Sequence, residues 1–162
     1  MSNKIYPIGI QNFEKIRKGG YCYIDKTAWI YQMVKTGSYY FLSRPRRFGK
    51  SLLLSTLEAY FQGKKKLFEG LAIEKLEKDW FKYPILHIDL NTEKYDTPER
   101  LENKLNRTLV EWEKIYGAES AETSLAMRFE GIIQRACEKE GQSVVILVDE
   151  YDKPMLQAIG ND

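Results

Sequence analysis

The chain has 162 residues, 43% of them hydrophobic, which is enough apolar material for one sizeable core, so we expect a single domain over residues 1–162. Its 25 Lys and Arg residues against 23 Asp and Glu residues leave a net charge of +2, which excludes the strongly basic profile of a dedicated nucleic-acid-binding domain. The two cysteines form no CxxC pair and there is one histidine, which indicates neither a disulfide framework nor a zinc site. No apolar run approaches the ~18 residues that a membrane span requires. We therefore expect a cytoplasmic protein without a membrane partner.

Short β-prone runs alternate with longer amphipathic segments along the chain. In chain order the pattern predicts a helix over 26–34, a strand over 39–43, a helix from 50 to Gly63, a strand over 84–90, a helix from Thr97 to Gly117, a helix from Ser124 to Gly141 and a strand over 144–148. Asp25, Thr97 and Ser124 stand where helix-capping residues are favoured. The alternation predicts an α/β fold in which helices cover a mostly parallel sheet.

A candidate phosphate loop joins the second and third of these elements. It reads Arg44-Pro45-Arg46-Arg47-Phe48-Gly49-Lys50-Ser51 and ends in the Gly-Lys-Ser of the pattern GxxxxGK[ST], although Arg44 stands where that pattern has its first glycine. The segment follows an apolar run and opens an amphipathic helix, whose N-terminal dipole favours a phosphate. A solvated turn with an ordinary lysine is the alternative interpretation.

Two adjacent carboxylates follow the strand predicted over 144–148. We expect Asp149 to hold Mg²⁺, directly or through water, and Glu150 to orient and deprotonate the water that attacks the γ-phosphate. Taken alone, the pair could instead cap a helix that begins near Pro154. Together with the loop at Lys50, the pair indicates an ATP site.

The sequence resembles the bacterial AAA-ATPase-like family over nearly its whole length. The resemblance is carried by Pro7-Ile8-Gly9 with Phe13, Tyr23-Ile24-Asp25-Lys26-Thr27, the segment 44–52, Phe68-Glu69-Gly70-Leu71, Tyr83-Pro84 and Val148-Asp149-Glu150-Tyr151-Asp152-Lys153-Pro154. It implies a P-loop NTPase three-layer sandwich with a mostly parallel central sheet. That family also has arginine where Arg44 replaces the glycine.

The resemblance also implies roles for individual residues, with ATP and Mg²⁺ as the cofactors. Lys50 and Ser51 take the Walker A roles, Asp149 is the Walker B aspartate and Glu150 the catalytic carboxylate, while Gly49 allows close backbone approach. The expected site residues are Lys50 and Glu150 for catalysis, Arg47, Phe48, Gly49, Lys50, Ser51 and Leu52 for nucleotide binding, and Ser51 and Asp149 for the metal. The parts played by Arg44, Arg46 and Arg47 stay open between phosphate neutralisation, an arginine finger, nucleic-acid contact and surface ion pairs.

Members of the family continue beyond the point where this chain ends, through a strand carrying a sensor residue and often into a nuclease-like domain of the PD-(D/E)XK type. We therefore expect a truncated domain with an incomplete sheet, in which strands 39–43 and 144–148 pair directly or a second molecule fills the gap. We expect ATP binding with weak Mg²⁺-dependent hydrolysis that drives conformational change. The alternatives are a nucleotide-gated binding module without turnover, and the ATPase part of a protein that handles nucleic acid through an attached domain.

Overall fold

A computed structural model describes residues 5–43, 45 and 48–159, with side chains up to residue 157. Arg44, Arg46 and Arg47 therefore lie outside the described residues. The elements are α1 (Phe13–Lys18), α2 (Thr27–Thr36), α3 (Lys50–Phe61), a 3₁₀ turn (Lys65–Phe68), α4 (Ala72–Leu76), β1 (Ile85–Asp89), α5 (Pro98–Tyr116), α6 (Leu125–Glu140), β2 (Val145–Asp149) and α7 (Lys153–Ile159). They form two compact units, Met1–Lys82 and Tyr83–Asp162. The prediction of one domain over the whole chain stays a prediction.

An aromatic cluster forms the core of the first unit. The fully buried rings of Phe13 in α1 and Phe68 in the 3₁₀ turn have their centroids 4.9 Å apart. Tyr60 of α3 and Trp80 complete the cluster, with Trp80 lying 5.1 Å from Phe68 and 5.8 Å from Tyr60. Large aromatic side chains supply much buried area per residue, so this cluster fixes α3 against short elements that would be marginal alone.

Polar contacts bind α2 to α4 within the same unit. Asp25 accepts hydrogen bonds from the backbone N–H of Thr27 (2.8 Å) and from that of Ala72 (2.7 Å), while the buried Thr27 hydroxyl accepts one from the N–H of Ile73 (3.1 Å). Asp25 thus supplies the predicted capping bond, although the helix is bounded one residue later, at Lys26. The same carboxylate also caps α4, which the sequence did not indicate.

The second unit is built on a parallel pair of strands. β1 and β2 pair from Ile85 opposite Val145 to Asp89 opposite Asp149, and both predicted strands are confirmed within one residue at each end. The crossover between them contains α5 and α6, and Leu86, Leu109, Trp112 and Ile132 form the core. Parallel strands joined by helices agree with the predicted α/β class, whereas the larger three-layer sandwich stays a prediction.

The strand predicted over 39–43 is wrong for this structure. These residues lie outside any strand, and the side chains of Tyr39 and Phe41 are 96% and 75% exposed. The segment has a β-prone composition, but a strand forms only when a neighbouring strand pairs with its backbone N–H and C=O groups.

Candidate functional site

The N-terminus of α3 is built from the Gly-Lys-Ser sequence. Gly49 is the N-cap residue and has φ +79°, in the left-handed region that glycine enters at low cost. Lys50 and Ser51 form the first positions of the helix, and both are half-buried. Because the N-cap residue has no side chain, it leaves the first N–H groups of the helix uncapped, an arrangement suited to an anion.

Contacts further along α3 hold this end in place. The Ser55 hydroxyl accepts a hydrogen bond from the N–H of Phe13 (2.9 Å), which joins α3 to α1 across 42 residues of sequence. One residue on, the buried Thr56 hydroxyl donates to the carbonyl of Leu52 (2.7 Å). Burial raises the pKa of Tyr23, and a hydrogen bond with the Thr56 side chain partly offsets that rise. The helix is therefore anchored near its start, and no described residue outside the immediate neighbours of Gly49 lies within 4 Å of where a Gly49 Cβ would stand.

A cavity of about 720 Å³ lies beside this helix start, within the first unit. Its wall includes Phe48 and Gly49, directly before α3, and Trp29 of α2. Most of the remaining wall is aliphatic, and Tyr23, Thr56 and Lys26 are polar exceptions. A volume of this size, mostly apolar with a few polar groups, is typical of small-molecule sites.

The acidic pair lies at the carboxyl end of β2 in the second unit. Asp149 is the last residue of the strand and its Oδ1 accepts a hydrogen bond from the N–H of Glu150 (3.0 Å). Glu150 has φ +54°, a left-handed conformation that costs a non-glycine residue about 1–2 kcal/mol. The short helix α7 begins at Lys153, and the carbonyl of Glu150 accepts the Lys153 N–H (3.1 Å).

The loop after β1 is fastened beside the acidic pair. Lys153 donates to the carbonyl of Asn91 (2.5 Å), and Gln157 accepts the N–H of Tyr95 (2.6 Å). Burial raises the pKa of Tyr95, and the nearby negative charges of Glu93 and Asp89 raise it further. Asp89 is the register partner of Asp149, so both strands of the sheet end in a carboxylate at the same edge.

Within the described ranges, no group of three or more His, Cys, Asp or Glu side chains is arranged to hold a metal ion. The hydroxyl of Ser51 and the carboxylate of Asp149 still fit Mg²⁺, the metal that the sequence implies. Proteins commonly bind Mg²⁺ through one or two carboxylates together with substrate phosphates and water. Asp149 is half-buried at the end of its strand and can supply such a carboxylate.

The expected nucleotide-binding residues from Phe48 to Leu52 lie at the start of α3, and Asp149 and Glu150 lie at the end of β2. Arg47 lies outside the described residues. The sequence did not indicate that Trp29 lines a cavity together with Phe48 and Gly49, because Trp29 lies in a separate segment and a single sequence does not record that proximity. The left-handed backbone of Glu150 was also missed, and no residue type around it signals that conformation.

The family model described as "Predicted AAA-ATPase" matches residues 7–162. The chain belongs to this AAA-ATPase-like family. The prediction of the family is confirmed, and the match contains both the Gly49-Lys50-Ser51 segment and the Asp149-Glu150 pair. The nuclease-like domain that often accompanies the family stays a prediction.

A curated protein of Azotobacter chroococcum mcd 1, named "Uncharacterized protein in vnfD 5'region", is 44% identical to this AAA-ATPase-like chain over 158 residues. The match covers 96% of this chain and 30% of the relative, so the chain spans less than a third of the relative's length. No solved structure matches the chain. Among the described residues, every helix is too short or too polar to cross a bilayer.

Proposed function

We propose that this chain binds ATP with Mg²⁺ and hydrolyses it slowly, using the start of α3 for the phosphates and the end of β2 for the metal and the attacking water. The observation that carries the proposal is the Gly-Lys-Ser segment at the N-terminus of a twelve-residue helix, with Gly49 in a left-handed conformation. Membership of a family described as predicted ATPases supports it.

The start of α3 supplies what a phosphate chain requires. Gly49 turns the backbone into the helix without a side chain at the approach, so the first N–H groups can point at phosphate oxygens. Lys50 adds a positive charge for the β- and γ-phosphates, and the hydroxyl of Ser51 is a ligand for Mg²⁺. Arg47, Phe48 and Leu52 are the flanking residues that we assign to nucleotide binding.

The end of β2 supplies the complementary acidic groups. Asp149 would hold Mg²⁺, and Glu150 would act as the general base, taking a proton from the water that attacks the γ-phosphorus while the bond to the bridging oxygen breaks and ADP leaves. Bound Mg²⁺ neutralises charge on the phosphates during the transfer. The Gly-Lys-Ser segment and the acidic pair lie in different compact units. We propose that both bind the same nucleotide because of the roles that these residue types play.

Calorimetric titration of ATP, GTP and ADP, with and without magnesium, tests the binding step. We expect Lys50→Ala to weaken ATP binding at least about tenfold, because a charge-assisted contact to phosphate is lost. Asp149→Asn should reduce the gain in affinity that magnesium gives and leave magnesium-free binding unchanged. Lys66→Ala is the matched control, since Lys66 is an exposed lysine in the 3₁₀ turn of the same unit.

Phosphate release under saturating ATP tests the chemical step. Glu150→Gln should keep ATP affinity and lose turnover, while Glu102→Gln, which neutralises an exposed carboxylate on α5, should change neither. Unchanged ATP affinity in Lys50→Ala would refute the phosphate assignment. Full turnover in Glu150→Gln would refute the role of Glu150 as the base.

A further inference from the structure

We infer that the cavity beside Gly49 holds the adenine base and ribose of the bound nucleotide, with Trp29 as the ring on which the base stacks. This inference rests on the proposed function, because the phosphate position at α3 identifies what the cavity would contain. It adds the location of the base and a stacking residue, Trp29, neither of which the motifs indicate.

The cavity directly adjoins the segment proposed to bind the phosphates. Phe48 and Gly49 line the cavity, and the next residue, Lys50, begins α3. A nucleotide whose phosphates lie at the start of α3 must place its ribose and base within a few bonds of them. The cavity has about 720 Å³, which is ample for a nucleoside, and Gly49 lines it directly before α3.

The aromatic wall of the cavity also supports a base site. Tyr6, Trp29 and Phe48 all line the cavity, and their side chains are 75%, 74% and 65% exposed. Large exposed aromatic side chains gathered around one cavity mark a surface that a ligand or another protein segment covers. A base is a flat ring that stacks on such faces, and each base–aromatic stack contributes about 1–3 kcal/mol when measured by alanine substitution.

The distribution of polar groups favours adenine over guanine. The cavity lining includes Tyr23 and Thr56, whose side chains share a hydrogen bond, and Lys26, the residue directly before α2, adds a positive charge. The remaining wall is largely aliphatic, including Ile30 and Leu53. Guanine has more hydrogen-bonding groups on its pairing edge than adenine has, and each group buried without a partner weakens binding. We expect adenosine to bind about tenfold more tightly than guanosine.

Three probes separate the base site from the phosphate site: ATP, adenosine, and inorganic tripolyphosphate with magnesium. On the full 162-residue chain, Trp29→Ala should weaken ATP and adenosine about tenfold and leave tripolyphosphate unchanged. Trp29→Phe retains a stacking ring and should recover most of the affinity. Tyr39→Ala is the matched control, because Tyr39 is an exposed aromatic that does not line the cavity. Lys50→Ala should show the reverse pattern, weakening ATP and tripolyphosphate but not adenosine.

The outcomes distinguish the two proposals. If Trp29→Ala binds ATP and adenosine as tightly as the unmodified chain, or if it loses tripolyphosphate equally, the base site is overturned while the phosphate site stands. Failure of the unmodified chain to bind adenosine, or equal binding of guanosine, also overturns the base site. If adenosine binds in a Trp29-dependent manner and tripolyphosphate does not bind, the base site stands and the proposed phosphate site fails.

Discussion

Glu150 combines a proposed catalytic role with an unfavourable backbone conformation. Glu150 has φ +54° and directly follows Asp149. The carboxylate of Asp149 accepts a hydrogen bond from the backbone N–H of Glu150. Trp80, with φ +45°, is the other non-glycine residue with positive φ among the described residues. Strained backbone is retained where a side chain must point in a particular direction, and it is concentrated at functional sites. The strain at Glu150 thus agrees with a side chain held for a purpose.

Replacing Glu150 by glycine should separate stability from activity. We expect Glu150→Gly to raise the free energy of unfolding by about 1 kcal/mol, because glycine adopts a left-handed conformation without the Cβ penalty. ATP turnover should be lost at the same time. Urea denaturation and phosphate release measure the two effects. Glu150→Gln is the control, since it should lose turnover without any gain in stability. Equal or lower stability of Glu150→Gly would show that the left-handed backbone carries no strain.

At the scale of elements, a buried carboxylate joins the end of α2 to the end of α4. Glu77 is 4% exposed and accepts hydrogen bonds from the Tyr60 hydroxyl (2.5 Å) and from the N–H groups of Lys78 and Asp79, and it pairs with Lys35 (3.2 Å). Burial alone would raise the pKa of Glu77, but these hydrogen bonds and the charge of Lys35 outweigh burial and lower the pKa to about 2. The ionised form therefore stabilises the fold.

The lowered pKa of Glu77 predicts how the stability of the protein depends on pH. A carboxyl whose pKa falls on folding stabilises the protein above its unfolded pKa, and the stabilisation disappears as the pH falls through the folded pKa. Removing one charged partner from a buried hydrogen-bonded group typically costs about 2 kcal/mol, so we expect Glu77→Gln to be less stable by that amount at neutral pH. The difference from the unmodified chain should close as the pH falls from the usual value of 4.5 to about 2.

Urea denaturation across that pH range measures the effect, and comparison with the unmodified chain removes the contributions of other carboxylates. Glu102→Gln serves as the control, because this exposed side chain on α5 should change stability little at any pH. A stability difference between Glu77→Gln and the unmodified chain that stays constant between pH 5 and pH 2 would contradict the lowered pKa of Glu77.

The longer elements could be predicted from the sequence because local signals mark both their ends. Ser124 caps α6 by accepting the N–H of Met127, and Gly141 ends that helix at φ +65°. By contrast, α1 and α4 have six and five residues, too few turns to show helical periodicity, and they were missed. The strand predicted over 39–43 failed for a different reason, since pairing depends on a neighbour that residue types do not specify.

For the candidate site, the sequence predicts the residues that belong to short motifs, but it does not predict residues that only the packing of separate segments brings together. Lys50, Ser51, Asp149 and Glu150 follow from residue types at fixed positions around a helix start and a strand end. The cavity could not be predicted in this way, because Tyr6, Trp29 and Phe48 come from three separate segments. Only the folded first unit brings these residues to one cavity. A single sequence contains no record of that proximity.

At the scale of the whole molecule, both compact units expose large apolar side chains. Tyr39 and Phe41 are exposed in the first unit, and Ile146, Val148 and Met155 are exposed in the second. Exposed apolar residues in such numbers are typical of surfaces that other protein segments cover. The relative from Azotobacter chroococcum is more than three times as long as the matched region, so the activity of the longer protein remains a proposal for this chain.

If both motifs serve one nucleotide, ATP should stabilise both units together. A ligand at one hundred times its dissociation constant raises the free energy of unfolding by about 2.7 kcal/mol, which corresponds to roughly hundredfold slower amide exchange through global opening. We expect saturating ATP with magnesium to slow hydrogen exchange in the first turn of α3 and at the end of β2, and ATP without magnesium to protect α3 more than β2. Mass spectrometry of peptides from each unit measures both effects.

Asp149→Asn makes this test specific to the acidic pair. The variant should lose the magnesium-dependent protection at the end of β2 and retain the magnesium-free protection of α3, because Lys50 and the N–H groups of α3 are unchanged. Glu102→Gln should behave as the unmodified chain does. Protection confined to Met1–Lys82 in the unmodified chain would mean that the second unit takes no part in holding the nucleotide. The roles proposed for Asp149 and Glu150 would then fail, while phosphate binding by α3 would stand.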